Sequence, residues 1–130
     1  MKIVLGVVAG FVVAFLCVAG IETIGHLVFP TPPGTDLQDP AQLARLIENL
    51  PMGAFAFVVA AWFIGSLAGA WVANLVAKRA LAGWIVVVLV IAGAVYTMIA
   101  IPHPAWMWAM AIALPLIAGW LAQRLAKVPI

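Results

Sequence analysis

The sequence predicts an all-α membrane bundle of four transmembrane helices and one short amphipathic helix. Four apolar runs, separated by short polar breaks, cover residues 3–29, 52–77, 81–101 and 105–126. Each run reaches the roughly 20 apolar residues that a helix needs to cross a bilayer core. Only 8% of the 130 residues are charged and 68% are hydrophobic, whereas soluble domains carry about 25% charged residues. A soluble fold would lack polar surface, and the absence of a strand-like alternating pattern leaves helices as the spanning elements.

The first run, 3–29, is predicted to be a retained transmembrane helix. Lys2 before it resembles the positive start of a signal peptide, but the apolar stretch continues to Phe29 and is too long for the hydrophobic region of a signal peptide. Cys17 lies inside this run and is the single cysteine of the chain. An internal disulfide is therefore excluded.

The segment 30–51 that follows contains the prediction of a short helix at 40–50. Asp39 is a suitable N-cap, Pro40 suits the first helical position, and Gln42 can complete a capping box. The apolar residues of this helix share one face: Leu43, Leu46, Ile47 and Leu50. We expect the helix to lie on the outer membrane surface or to cover the bundle, either as a plain connection or as a gate.

The second run, 52–77, carries small residues four positions apart. They are Ala61, Gly65, Gly69, Ala73 and Ala77, and the first run repeats the spacing with Gly6, Gly10 and Ala14. Helices in lipid associate through close backbone approach, which small residues allow. Because four residues exceed one turn of 3.6, the row winds around the helix, and one partner helix should meet two or three of its positions. We expect part of the row to pack within the chain and part against another protein; the alternative is that alanine and glycine are simply common in membrane helices.

The third and fourth runs complete the bundle and indicate its orientation. Pro115 lies near the middle of the fourth run, where it predicts a kink. One side of the membrane receives most of the basic residues, namely Lys2, Lys78, Arg79, Arg124 and Lys127, while the other receives only Arg45. The positive-inside rule then predicts cytoplasmic termini, in a bacterial inner membrane. A net charge of +2 gives no reason to expect a nucleic-acid partner.

The polar groups that the topology gathers at the outer end of the bundle are the candidate site. They are Glu22, His26, Tyr96, Thr97 and His103. A carboxylate at the depth of Glu22 costs several kcal/mol unless it is paired, hydrated or protonated. His26 is one turn further along the same face. The set therefore predicts either a structural hydrogen-bonded pair or an outer vestibule for an ion or a ligand.

A metal site is the third alternative for the same residues. Glu22, His26 and His103 offer a carboxylate and two imidazoles, which suit a divalent metal. Four methionines toward the outer end would suit Cu(I), namely Met52, Met98, Met107 and Met110. The sequence indicates no catalytic residue and identifies no cofactor.

Three functions are therefore compatible with the sequence. The first is an accessory or scaffolding subunit, since so small a bundle exposes much helix surface to other membrane proteins or to a second copy of itself, besides the lipid bilayer. The second is a small homo-oligomeric transporter or channel with Glu22 and His26 in its outer vestibule. The third is a metal-binding membrane protein.

Overall fold

The computed structural model describes residues 1–36, 38–101 and 103–130. These described residues form five helices: α1 (Lys2–Val28), α2 (Pro40–Asn49), α3 (Met52–Ala77), α4 (Ala80–Ala100) and α5 (Ala105–Ala126). All but α2 are long and apolar enough to cross a membrane. The predicted fold class of a small multi-pass helical membrane protein is thereby confirmed. The helix ends lie within one residue of the predicted ones.

Helix α3 is the centre of the bundle. It packs against α1, α4 and α5, while α4 also contacts α1 and α5. The connectivity gives the bundle two distinct ends. We call the end with Met1, the α3–α4 turn and the last residues of α5 the termini end, and the opposite end, which α2 covers, the α2 end.

The contact between α1 and α3 is made by backbone meeting backbone. A Cβ placed on Gly6 would lie 2.6 Å from the Ala73 carbonyl oxygen, and one placed on Gly69 would lie 2.6 Å from the Gly10 carbonyl oxygen. Real Cβ atoms essentially never come closer than 3.0 Å. Only glycine therefore allows the two helices to approach this closely.

The row of small residues on α3 lies inside the chain over its whole length. Its five members, Ala61, Gly65, Gly69, Ala73 and Ala77, are all buried. On α1, the matching row of Gly6, Gly10 and Ala14 is buried as well. Helix α1 meets four positions of the α3 row, from Gly65 to Ala77, rather than the two or three expected, because both helices carry small residues along the same line. The expectation that part of this row faces another protein is wrong for this conformation.

Polar side chains at the termini end connect neighbouring helices. The buried Asn74 of α3 accepts a hydrogen bond from the Gly83 N–H of α4 at 2.8 Å. Trp84 of α4 donates its indole N–H to the Gln123 side chain of α5 at 3.0 Å. Asn74 is buried and Gln123 is half-buried. Polar groups removed from water are costly unless paired, so both amides serve the packing of this end.

The short helix α2 begins as the sequence predicts, with a different partner for Gln42. Asp39 is the N-cap and accepts a hydrogen bond from the Ala41 N–H at 3.0 Å, and Pro40 follows at the first position. In a capping box, the Gln42 side chain would accept from the Asp39 N–H. It accepts instead from the Asp36 N–H at 2.8 Å and donates to the Asp39 carboxylate at 3.2 Å. The same glutamine thus ties the preceding loop to the start of the helix.

Candidate ligand-binding cavity at the α2 end

A cavity of about 250 Å³ lies between α1, α2, α3, the end of α4 and the α4–α5 connection. A larger depression of about 610 Å³ lies on the opposite face of α2, around Arg45, but it is an open surface feature made only by α2 and the loop before it. The smaller cavity is the better candidate, because it is the more enclosed of the two and binding sites are concave and bury most of their ligand.

Four of the five predicted vestibule residues line this cavity: Glu22, His26, Thr97 and His103. Tyr96 is the exception, since its side chain is 74% exposed and does not line the cavity. Consecutive residues of an α-helix point about 100° apart. Thr97 faces the cavity, and its neighbour Tyr96 points away from it.

Helix α1 supplies Glu22 and His26 from one face. Glu22 is half-buried, whereas His26 is exposed. Gly25 lies between them in the sequence and is buried, and a Cβ on it would lie 2.9 Å from the Cβ of Phe57. The close approach of α1 to α3 at Gly25 therefore holds the neighbouring Glu22 beside the α3 side chains that line the cavity.

The polar groups from α4 and from the connection after it have fixed hydrogen-bond roles. Thr97 donates its hydroxyl proton to the Gly93 carbonyl oxygen at 2.9 Å. The His103 Nδ1 lies 2.6 Å from the Ile101 carbonyl oxygen. A carbonyl can only accept, so Nδ1 carries a proton and donates it, and Nε2 is an acceptor whenever the ring is neutral. Both side chains can therefore accept a hydrogen bond from a ligand.

Aromatic and aliphatic side chains form the rest of the wall. Three phenylalanines line the cavity, namely Phe29, Phe55 and Phe57. The rings of Phe29 and Phe57 meet edge to face, with centroids 6.2 Å apart. From α2 come Leu43, Leu46, Ile47 and Leu50. The sequence pattern predicts this apolar face of α2 but not the three phenylalanines, because a phenylalanine in an apolar run carries no signal of which way it faces.

The arrangement does not support a metal site. Among the residues that the structure describes, no three His, Cys, Asp or Glu side chains lie close enough together to hold a metal ion. Glu22, His26 and His103 share the wall of one cavity but do not converge on one point. Met98 and Met107 are buried in a cluster with Phe55 and act as packing residues.

Comparison of the chain with protein-family models, with curated proteins and with solved structures found no match. The cavity itself is therefore the feature from which a function can be inferred.

Proposed function

We propose that this chain is a membrane protein that binds a small molecule in the cavity at its α2 end, and that this end faces the outside of the cell. One observation carries the proposal: three stretches of the sequence, 22–31, 43–58 and 97–101 with His103, contribute side chains to one partly enclosed space. Its walls are mostly apolar, with a few polar groups at defined positions, which is the usual composition of a small-molecule site.

Binding is better supported than passage through a single chain. At the termini end, Asn74 and Gln123 are the uncharged polar groups that could line a path, and each is engaged in a hydrogen bond between helices. The glycines and alanines of α1 and α3 close the space between these two helices. A transporter built on this cavity would need a second copy or a large rearrangement to open a path.

Helix α2 supports the proposal as the cover of the cavity. Its four apolar residues are half-buried, and none of its residues is fully buried. Such an element is held by few contacts, and the covers of binding sites are drawn from elements of low local stability. The prolines before α2 and Pro51 after it fix the backbone on both sides.

Accessibility of the cavity to a small reagent tests the proposal. In a Cys17→Ala background, Thr97→Cys places a thiol in the cavity wall, and Ala94→Cys places a matched thiol one turn deeper on the same helix, where the residue is buried. A small charged thiol reagent that cannot cross membranes should modify Thr97→Cys in intact cells, and Ala94→Cys much more slowly. Equal resistance of the two thiols would refute an open binding cavity, and modification from the cytoplasmic side alone would refute the orientation.

A role as an accessory subunit is the second candidate, favoured by the exposure of α1. Only 17% of the most apolar window of α1 is buried, compared with 39% for α3. Phe15 and Leu16 are 63% and 62% exposed on this helix. Lipid or another membrane protein can cover such a surface equally well. Purification from native membranes in mild detergent distinguishes the two, because a bound protein partner would be purified together with the chain.

A partner in fixed proportion that is lost in Phe15→Ala, but kept in the control Val88→Ala, would support the accessory role. Val88 is a suitable control because it is 62% exposed on α4. Purification without any such partner would refute this role and leave the cavity proposal untouched.

A further inference from the structure

The polar groups of the cavity are arranged to accept hydrogen bonds. The Thr97 hydroxyl proton and the His103 Nδ1 proton are already donated to backbone carbonyls, so the hydroxyl oxygen remains as an acceptor, as does Nε2 of the neutral imidazole. Glu22 adds a carboxylate, which only accepts when it is ionised. The two polar side chains able to donate, His26 and Thr31, are both exposed at the mouth.

The wall of the cavity holds two titratable bases, His26 and His103, and no permanently charged one. Neither lysine nor arginine is among its lining residues, all of which belong to the described part of the chain. The basic residue of this end, Arg45, lies on the other face of α2 and lines the open depression there. Glu22 therefore shares the cavity with two histidines but with no lysine or arginine. A half-buried carboxylate in an apolar setting is costly unless a charge or a hydrogen bond compensates it, and a cationic ligand would supply that charge.

The three phenylalanines provide a second feature that suits a cation. The face of an aromatic ring attracts an ammonium group within about 6 Å, by roughly 0.5–1 kcal/mol when exposed and about 2 kcal/mol when desolvated. Phe29, Phe55 and Phe57 line the same cavity as Glu22. Their rings, with the aliphatic face of α2, also suit the alkyl groups of an organic cation, which a hydrated inorganic ion does not have.

We propose that the cavity binds a small organic ammonium ion, with its charge between the Glu22 carboxylate and the phenylalanine rings. This inference rests on the proposed function and adds the class of ligand. The size of the cavity, about 250 Å³, is below the range of about 300–1,000 Å³ for drug-sized sites. An ammonium group with a few short alkyl substituents or one ring fits this volume.

The test compares two water-soluble probes that have the same shape but differ in charge. Choline carries a quaternary ammonium group, and 3,3-dimethylbutan-1-ol has a carbon atom in place of the nitrogen. Dissociation constants are measured by titration calorimetry on the purified full chain in detergent micelles. We expect choline to bind at least about tenfold more tightly than the alcohol, which corresponds to about 1.4 kcal/mol.

Two variants locate the preference for charge. Glu22→Gln should abolish the difference between the probes while leaving the affinity for the alcohol unchanged. Glu48→Gln is the matched control, since Glu48 is an exposed carboxylate on α2 that does not line the cavity, and it should keep the full difference. If Glu22→Gln does not fold, Phe29→Leu replaces it and should weaken choline several-fold more than the alcohol.

The results of this titration test the class of ligand separately from the proposed function of binding a small molecule. Equal binding of both probes, or tighter binding of the alcohol, would overturn the ammonium proposal and support a cavity for neutral ligands. Absence of choline binding would overturn it as well. In that case the reaction of Thr97→Cys with the thiol reagent still decides whether the cavity is an open binding site.

Discussion

Replacing Gly69 by alanine adds one methyl group at the centre of the α1–α3 contact. The new Cβ would lie 2.6 Å from the Gly10 carbonyl oxygen and 2.7 Å from the Cβ of Ala14. Since real contacts exceed 3.0 Å, α1 must move away by at least 0.4 Å, the difference between 3.0 and 2.6 Å. Neither partner atom can turn aside, because one belongs to the backbone and the other is attached directly to it.

Overpacking of this kind costs about 1–3 kcal/mol, and a gap of 0.5–1 Å forfeits a quarter to a half of each dispersion contact it opens. Alanine also recovers up to about 1 kcal/mol of helix propensity over glycine. We therefore expect Gly69→Ala to lower the free energy of unfolding by about 1–2 kcal/mol. The measurement is reversible unfolding in mixed detergent micelles, followed by tryptophan fluorescence.

The matched control for this substitution is Gly20→Ala on α1. A Cβ at Gly20 has no neighbour within 4 Å, so the variant keeps the gain in helix propensity and meets no obstacle. We expect its free energy of unfolding to be unchanged or raised by up to about 1 kcal/mol. If both variants behave alike, α1 and α3 do not meet backbone to backbone, and the packing described here is wrong.

Two further substitutions test the polar contacts. Asn74→Ala removes the buried acceptor of the Gly83 N–H and should lower the free energy of unfolding by about 1–3 kcal/mol; an unchanged unfolding curve would contradict this contact. Asp39→Ala removes the side chain that caps α2 at Ala41, which is worth about 0.5–2 kcal/mol of local stability. Amide hydrogen exchange in α2 should therefore become faster in Asp39→Ala while the unfolding midpoint of the bundle stays the same, and Glu48→Ala should change neither.

The sequence was sufficient to predict the four spanning helices because lipid imposes a simple requirement on them. Each spanning segment must be long, apolar and hydrogen-bonded within itself, so the four runs could be read directly as α1, α3, α4 and α5. The start of α2 was equally readable, since Asp39 and Pro40 have local preferences that need no tertiary contact.

The direction in which side chains face around each helix could not be predicted from the sequence in the same way. Depth in the membrane follows from residue number, but the rotation of a nearly uniformly apolar helix does not. Tyr96 and Thr97 have almost the same depth and face different surroundings, one 74% exposed and the other lining the cavity. The row of small residues gave too weak a signal for a related reason: spacing shows that a helix can be approached closely, but not by which neighbour.

The two ends of the bundle are packed in different ways, and this difference bears on how it could work. At the termini end, glycine and alanine bring helices into backbone contact, and Asn74 and Gln123 join them. At the α2 end, the phenylalanine rings and α2, which is held by few contacts, surround a cavity. A ligand that binds there gains contacts mainly with α2 and the ends of α1, α3 and α4, so it should stabilise those parts before the rest. Bound ligand should accordingly slow hydrogen exchange in α2 more than in the helix segments of the termini end, and uniform protection along the bundle would argue that the cavity is not where the ligand binds.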